Sequence, residues 1–383
     1  MRFLSTIPIL FVWISCTSQP AHVSLQTGAD QVSEVVRRLG TQRVAVLTNH
    51  TARIGATHIV DTLLSKGIKI VSILAPEHGF RGDADAGELV KDGVDPKTGL
   101  PVISLYGKSK KPAPEHLALV DIVVFDIQDV GARFFTYISS LHYLMEACAE
   151  QNKKVLILDR PNPNGFVDGP VLQKGLESFV GMHPIPIAHG LTVGEIAQMI
   201  NGEGWLANGI QCPLEIITLK NWKHSDTYSL PDRPSPNLPN DNAIGWYPSM
   251  CLLEGTALSV GRGTLHPFEW VGHPQLVNYS FSFTPQSIPG MSKNPPFENV
   301  LCFGIDLTAT VPQRKISLKH LIDFYRTFPD KEKFFIPFFD KLAGTRLLQQ
   351  QIKDGLTEEE IRATWQADLK AYELTRQKYL LYP

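Results

Sequence analysis

Short apolar runs alternate with stretches of helical periodicity through the first two thirds of the chain. Four apolar, partly β-branched runs predict buried strands at residues 43–47, 68–74, 121–125 and 155–158. Helical spacing of apolar positions follows at residues 59–65, 134–150 and 193–201. Thr192 and Glu195 form a capping-box pattern at the start of the last of these helices. Strands alternating with helices predict an α/β protein, with a Rossmann-like parallel-sheet domain over residues 28–228.

The pattern changes after residue 228. Residues 229–250 are rich in Pro, Asn and Ser, which predicts an ordered linker or the wall of a cleft. Two strand patterns and three helical patterns then follow at 276–283, 300–307, 318–328, 338–353 and 357–379. We therefore expect a second, smaller α+β domain over residues 229–383 that completes an active-site cleft.

The N-terminus has the features of an export signal. Arg2 precedes an apolar stretch over residues 3–14, which is too short to span a bilayer and ends at Ser15 and Cys16. A cysteine at this point resembles a bacterial lipoprotein signal. We expect residues 1–16 to be a signal peptide, Cys16 to be lipidated, and the protein to be exported to the periplasm or cell envelope. The alternative is an ordinary signal peptide with an incidental cysteine.

Composition and missing motifs exclude several functions. The 36 basic and 38 acidic residues provide no excess of positive charge for nucleic acid. There is no C-x-x-C pair for zinc and no G-x-G-x-x-G after the first strand for a dinucleotide. G-x-S-x-G, S-x-x-K and H-E-x-x-H are absent too, and an EF-hand pattern from Asp83 fails at Val94. The sequence predicts no cofactor and no metal.

Polar loops follow the four predicted strands. The carboxyl ends of parallel strands meet at one edge of a sheet, so these loops should form one site. The loop at 76–88 carries the most charge, among three glycines. A glycosidase needs a carboxylic acid to protonate the leaving oxygen, and Glu77 is the candidate. The alternative is that Glu77 caps a short helix.

Other polar residues are candidates for catalysis or binding. Asp129 and Glu269 are the further catalytic candidates. The predicted substrate contacts are Asn49, His78, Arg81, Asp83, Asp126, Gln128, Arg133, Tyr137, Asn162, Glu254 and Arg262. Arg81 and Arg262 stand beside glycines, where a ligand can approach closely, and guanidinium groups suit carboxylates. Structural roles are the alternatives: salt bridges for these arginines, a helix cap for Asp129 and packing for Tyr137.

Long motifs in a fixed order carry a family resemblance. They cover residues 47–51, 76–82, 125–133, 158–163, 189–195, 234–237, 254–256 and 261–264. Together they resemble the NamZ-type exo-β-N-acetylmuramidases, from about residue 30 to the C-terminus. The resemblance implies release of terminal N-acetylmuramic acid from the non-reducing end of peptidoglycan fragments, in a cleft between a Rossmann-like domain and a second domain. His50 departs from the family, in which many relatives have Gln.

The resemblance also implies partners for the sugar. The lactyl carboxylate of N-acetylmuramic acid needs a cation, such as Arg81 or Arg262, and the acetamido group needs a partner such as Asn49 or Gln128. Two alternatives stay open: a non-catalytic muropeptide-binding lipoprotein with the same cleft, and a Rossmann-like hydrolase of another ester or amide. The sequence does not distinguish retaining, inverting and acetamido-assisted mechanisms.

Overall fold

The computed structural model describes residues 24–77, 79–81, 92–107 and 109–383. Cys16, His78 and Asp83 lie outside the described residues, as does the predicted signal peptide. Within the described ranges, no helix combines the length and the apolar character needed to cross a bilayer.

Strands and helices alternate in the first half, and helices predominate in the second. The strands are β1 (Arg43–Thr48), β2 (Arg53–Ile54), β3 (Thr57–His58), β4 (Lys69–Ala75), β5 (Gly93–Val94), β6 (Pro101–Ser104), β7 (Ile122–Asp126), β8 (Lys154–Leu158), β9 (Val167–Asp168), β10 (Ala188–His189), β11 (Leu214–Ile217), β12 (Trp270–His273), β13 (Phe281–Phe283) and β14 (Cys302–Asp306). The helices are α1 (Val32–Leu39), α2 (Ile59–Ser65), α3 (Pro114–Leu117), α4 (Tyr137–Glu150), α5 (Val193–Gly202), α6 (Asp241–Met250), α7 (Lys319–Thr327), α8 (Phe339–Ala343), α9 (Leu347–Lys353), α10 (Glu358–Thr364) and α11 (Gln366–Arg376).

The main sheet has the strand order of a Rossmann fold. Its strands lie in the order β11-β8-β7-β1-β4-β6-β5, and all neighbours are parallel except β5 and β6. Numbered along the chain from β1, the parallel strands follow the order 3-2-1-4-5-6 across the sheet from β6. The order reverses between β1 and β7, so a crevice opens at their carboxyl ends. The predicted α/β, Rossmann-like class is confirmed.

Both faces of this sheet are buried, which explains its continuous apolar strands. In β1, Val44 and Val46 belong to one apolar cluster, whereas Ala45 and Leu47 belong to the other. Helices α1 and α2 contribute to the first cluster, and α4 and α5 to the second. The capping box at α5 is present as predicted, because the Thr192 side chain accepts a hydrogen bond from the amide of Glu195.

The C-terminal part shares a core with the main sheet. It contains the antiparallel sheet β12-β14-β13 and helices α6 to α11. The second apolar cluster extends from Phe125 and Leu141 in the sheet domain to Phe268, Phe324 and Trp365 in the C-terminal part. The smaller mixed α+β part therefore packs on one face of the main sheet through a continuous interior. The boundary at residue 229 stays a prediction.

The strand prediction at 276–283 is wrong over its first half. Leu276 and Tyr279 lie in turns, with the Tyr279 amide bonded to the Leu276 carbonyl at 3.0 Å, and the strand begins at Phe281. Strand β12 was not predicted. It pairs with β14 through Gly272 opposite Gly304, and a Cβ on Gly272 would lie 2.5 Å from the Phe303 carbonyl oxygen. Because glycine is required where the backbones of β12 and β14 lie closest, β12 lacks the alternation of apolar and polar side chains by which a strand is recognised in a sequence.

Three other predictions differ from the helices observed. The helix expected over 338–353 is divided into α8 and α9 at Gly344, which has a φ of 76°. The helix expected over 357–379 is divided at Trp365, whose φ and ψ are −101° and 1°. The segment expected to be linker ends in helix α6, whose N-cap Asn240 accepts a hydrogen bond from the Ala243 amide at 2.8 Å.

A buried arginine links the two parts of the chain. Nη1 of Arg133 donates to the carbonyls of Pro170 and Ile185, and Nη2 donates to that of Leu342 at 2.9 Å. Desolvation lowers the pKa of Arg133 to about 9. Gly344 lies against this guanidinium, since a Cβ there would be 2.4 Å from Nη2. Arg133 is therefore a tie between the start of α4 and the end of α8, rather than a residue of the ligand pocket.

Replacing Gly344 by Ala should destabilise the protein through Arg133. Gly355 provides the matched control, because its φ of 80° is similar and a Cβ there would meet nothing within 4 Å. Both variants lose about 1 kcal/mol from the left-handed backbone. Gly344→Ala should lose a further ~1–3 kcal/mol through overpacking against the guanidinium. Urea unfolding curves measure both losses, and equal losses would contradict the account.

Candidate active site

A pocket lies where the carboxyl edge of the main sheet meets the C-terminal part. The residues that line it are Glu77, Phe134, Phe135, Thr136, Tyr137, Val180, Ser235, Asn237, Leu238, Tyr247, Cys251, Glu254, Arg262, Phe268, Phe338 and Leu342. Both parts of the chain contribute to this lining. Of the predicted site residues, it brings together Glu77, Tyr137, Glu254 and Arg262.

Glu77 follows β4 and is surrounded by hydroxyl groups. The Thr136 hydroxyl donates to Oε2 of Glu77 at 3.1 Å. Tyr106, just after β6, also interacts with this carboxyl group; burial first, and then the negative charge of Glu77, raise the pKa of Tyr106 far above its usual value. Its phenol therefore stays protonated at neutral pH and is available as a hydrogen-bond donor. Glu77 is thus held by groups from two neighbouring loops.

Arg262 forms the positive side of the pocket. Its Nε donates to Oε1 of Glu254 at 2.6 Å, and Oε2 of Glu254 accepts from the Cys251 thiol at 3.5 Å. Burial acts to lower the pKa of Arg262, but the Glu254 carboxylate more than offsets this and holds the pKa above its usual value. Nη1 of Arg262 is buried and has no hydrogen-bond partner among the described residues. The guanidinium is charged and has a nitrogen available for an acceptor on a ligand.

Aromatic rings form the apolar surface of the pocket. Phe134 and Phe268 each make an edge-to-face contact with Tyr247, at centroid distances of 5.3 and 4.9 Å. Tyr137 is buried, and its burial together with the charge of Glu77 raises its pKa, so its phenol is neutral. Phe338 is 38% exposed at the edge of the lining. Apolar ring faces beside a few fixed polar groups are typical of small-molecule sites.

Two predicted charged residues lie elsewhere. Arg81 makes a two-pronged ion pair with Asp95, at 3.0 Å from Nε and 2.8 Å from Nη2, and does not line the pocket. Glu269 is buried and accepts hydrogen bonds from the amide groups of Asn240 and Asn242 at 3.2 and 2.8 Å. It supports the start of α6 and does not line the pocket.

The loop after β7 is held by its own polar residues. Asp126 forms a buried ion pair with Arg160, whose Nε lies 2.6 Å from Oδ1. The Gln128 side chain donates to the carbonyls of Asp129 and Pro161. Oδ2 of Asp129 accepts from the Gly131 amide at 2.6 Å. None of these three predicted contact or catalytic residues lines the pocket, and their bonds hold the loop in place.

Two predicted asparagines are used in the same way. Oδ1 of Asn49 accepts hydrogen bonds from the amide and the hydroxyl of Thr51, at 3.0 and 2.6 Å. Nδ2 of Asn162 donates to the Leu191 carbonyl, and its Oδ1 accepts from the Asn164 amide. Neither residue lines the pocket. Both stabilise buried loops at the carboxyl edge of the sheet.

The sequence analysis did not identify four polar residues at the site. Ser235 and Asn237 lie in the Pro-rich segment, which was predicted as a cleft wall without assigning these side chains. Thr136 precedes α4, inside a segment that was predicted as helix. Tyr106 follows β6, which no periodic pattern indicated. For Tyr106 and Thr136 the sequence held no signal, since their role depends on the fold bringing them to Glu77.

Family models match nearly the whole chain. The model described as exo-β-N-acetylmuramidase NamZ, N-terminal, matches residues 44–242, and the corresponding C-terminal model matches residues 245–382. The chain belongs to the NamZ family of exo-β-N-acetylmuramidases. The family predicted from the motifs is thereby confirmed. The two NamZ models meet within α6, the helix that contributes Tyr247 to the pocket.

One curated relative carries the same family name, and two solved structures are similar over nearly the whole chain. The peptidoglycan β-N-acetylmuramidase NamZ of Bacillus subtilis is 39% identical, over 94% of this chain and 91% of its own length. A crystal structure of a DUF1343 family protein from Bacteroides fragilis is 45% identical, with a TM-score of 0.87 over 94% of this chain and 99% of that chain. A second such protein from the same species is 29% identical, with a TM-score of 0.79 over the same fractions. Membership of this family supports the assignment of the protein as a peptidoglycan glycoside hydrolase.

Proposed function

We propose that this protein is an exo-acting glycosidase that releases N-acetylmuramic acid from the non-reducing end of peptidoglycan fragments. One observation carries the proposal: a single pocket combines the carboxyl group of Glu77 with a charged Arg262, one nitrogen of which has no hydrogen-bond partner in the described parts of the chain. A carboxylic acid is what cleavage of a glycosidic bond requires. A cation is what distinguishes muramic acid, with its lactyl carboxylate, from neutral N-acetylglucosamine.

Glu77 is the proposed general acid. Protonated Glu77 gives its proton to the glycosidic oxygen as the bond from this oxygen to the anomeric carbon breaks, and water then supplies the hydroxyl group of the released sugar. Thr136 and Tyr106 orient the Glu77 carboxyl group and can accept or donate as its protonation changes. Asp129 and Glu269, the other catalytic candidates, are less suited to this step because neither lines the pocket.

Glu254 is proposed to orient Arg262. Its carboxylate fixes Nε of the guanidinium at 2.6 Å, which leaves the terminal nitrogens to the ligand. A ligand without a carboxylate would leave the remaining charge unpaired in a partly buried site, and this selects for muramic acid. Arg81, the other candidate cation, is already neutralised by Asp95.

Glu77→Gln should lower kcat on a chromogenic β-N-acetylmuraminide by at least ~10²-fold, because the side chain keeps its shape and loses its proton. Glu34→Gln, on the surface of α1, is the control and should remain within about twofold of wild type, as expected for a surface substitution. Release of the aglycone by the wild type is the first readout. Binding without release would favour the muropeptide-binding alternative, and cleavage of an ester alone would favour the ester or amide hydrolase. Near-normal activity of Glu77→Gln would remove Glu77 from the acid role.

Arg262→Met should remove the preference for muramic acid. The wild type should favour a β-N-acetylmuraminide over the matching β-N-acetylglucosaminide by about 100-fold or more in kcat/KM, and the variant by about tenfold or less. Since Arg262→Met alone leaves the Glu254 carboxylate unpaired, the double variant with Glu254→Gln should be measured beside it. Arg81→Met is the control and should keep the wild-type ratio. A ratio that survives both Arg262 variants would refute the assignment.

We also propose that the protein is exported and anchored to a membrane by a lipid on Cys16. The motivation is the short apolar run that ends at Ser15 and Cys16. Cys16→Ala should move the protein from the membrane fraction to the soluble exported fraction. Unchanged fractionation, together with an unlipidated N-terminus by mass spectrometry, would reject the anchor.

A further inference from the structure

Of the two polar atoms in the side-chain amide of Asn237, only the nitrogen is hydrogen-bonded within the described ranges. Nδ2 of Asn237 donates to the Met291 carbonyl at 2.8 Å. This bond fixes which end of the amide is the oxygen, because a carbonyl accepts only from the NH₂ group. Oδ1 is buried and has no hydrogen-bond partner among the described residues. The residue itself is 1% exposed and lines the pocket. The pocket wall therefore contains an oriented acceptor that lacks a donor.

A buried acceptor without a donor is unfavourable, and a ligand that supplies an N–H or O–H removes the penalty. The pocket already has a cation in Arg262 and a neutral phenol in Tyr137. These groups suit acceptors and anions on the ligand. Asn237 is the complementary group, because its free atom can only accept. It therefore suits an N–H on a sugar that also carries a carboxylate.

We propose that Asn237 accepts a hydrogen bond from the acetamido N–H of the terminal sugar and so selects 2-acetamido sugars. This inference rests on the proposed function for the substrate, since N-acetylmuramic acid with a free lactyl carboxylate has a single N–H. The sequence had suggested Asn49 or Gln128 for the acetamido group. Neither lines the pocket, and Oδ1 of Asn49 already accepts two hydrogen bonds from Thr51.

Binding of non-reacting sugars tests this role separately from catalysis. N-acetylmuramic acid is compared by calorimetry with its 2-O-acetyl analogue, in which an ester oxygen replaces the N–H and the shape is kept. The wild type should bind the acetamido sugar about tenfold or more tightly, because the ester leaves Oδ1 of Asn237 without a donor. Asn237→Leu should bring the ratio of the two Kd values close to one. Each ratio is measured on one protein sample, so partial unfolding of the variant cancels.

A second variant should gain affinity. Asn237→Asp places a carboxylate where the amide was, so it should favour muramic acid with a free, protonated 2-amino group. The measured quantity is the affinity for this amine divided by the affinity for the acetamido sugar. This ratio should be about tenfold higher in the variant than in the wild type, as expected for a charge-assisted hydrogen bond. Misfolding cannot produce such a gain. An unchanged preference for the amine in this variant would count against a contact between residue 237 and the 2-substituent.

The outcomes separate the two proposals. If Asn237→Leu keeps the wild-type ratio of Kd values, the role of Asn237 is overturned, whether or not the wild type cleaves a β-N-acetylmuraminide. If the ratio collapses as expected but no aglycone is released by the wild type, the sugar-binding role stands and the proposed hydrolysis fails. If the wild type binds the acetamido sugar and its ester analogue equally, the acceptor is not used and the inference is again overturned.

Discussion

Burial of the carboxyl edge of the main sheet is the constraint on which the site depends. The polar side chains of its loops, such as Asp126, Gln128 and Asp129, are buried, so hydrogen bonds and ion pairs within the protein replace most of their contacts with water. The ion pair of Asp126 with Arg160 shows the result, since both side chains are almost wholly buried and satisfy each other. Within the part of the chain that the structure describes, Arg262 and Asn237 line the pocket and each has a buried polar atom without a hydrogen-bond partner.

The sequence predicted the main sheet because its strands are buried on both faces. Such strands are apolar throughout, and polar loops mark their ends, so the edge that carries Glu77 could be located without a structure. Arg262 could be predicted as a candidate because the glycines on either side of it are its direct neighbours in the sequence. The family resemblance added the substrate class, and family models over almost the whole chain agree with it.

What the sequence could not provide is pairing between distant residues. Arg81 and Arg262 have similar sequence surroundings, but Asp95 neutralises Arg81, whereas Nη1 of Arg262 has no partner among the residues that the structure describes. Glu269 is a second catalytic candidate in the sequence, which gives no sign that Asn240 and Asn242 donate hydrogen bonds to it. The antiparallel strand β12 is hidden for another reason, since Gly272 contributes no side chain to any pattern.

The Pro-rich wall of the pocket has a consequence for binding. Pro234, Pro236 and Pro239 surround Asn237, and each fixes its own φ near −65° while restricting the residue before it. A Pro-rich segment with so few accessible backbone conformations loses little conformational entropy when a ligand binds to it. More of the interaction energy then remains as net affinity, as is general for preorganised sites. A pocket with such a wall therefore needs little rearrangement of its Pro-rich segment before a ligand binds.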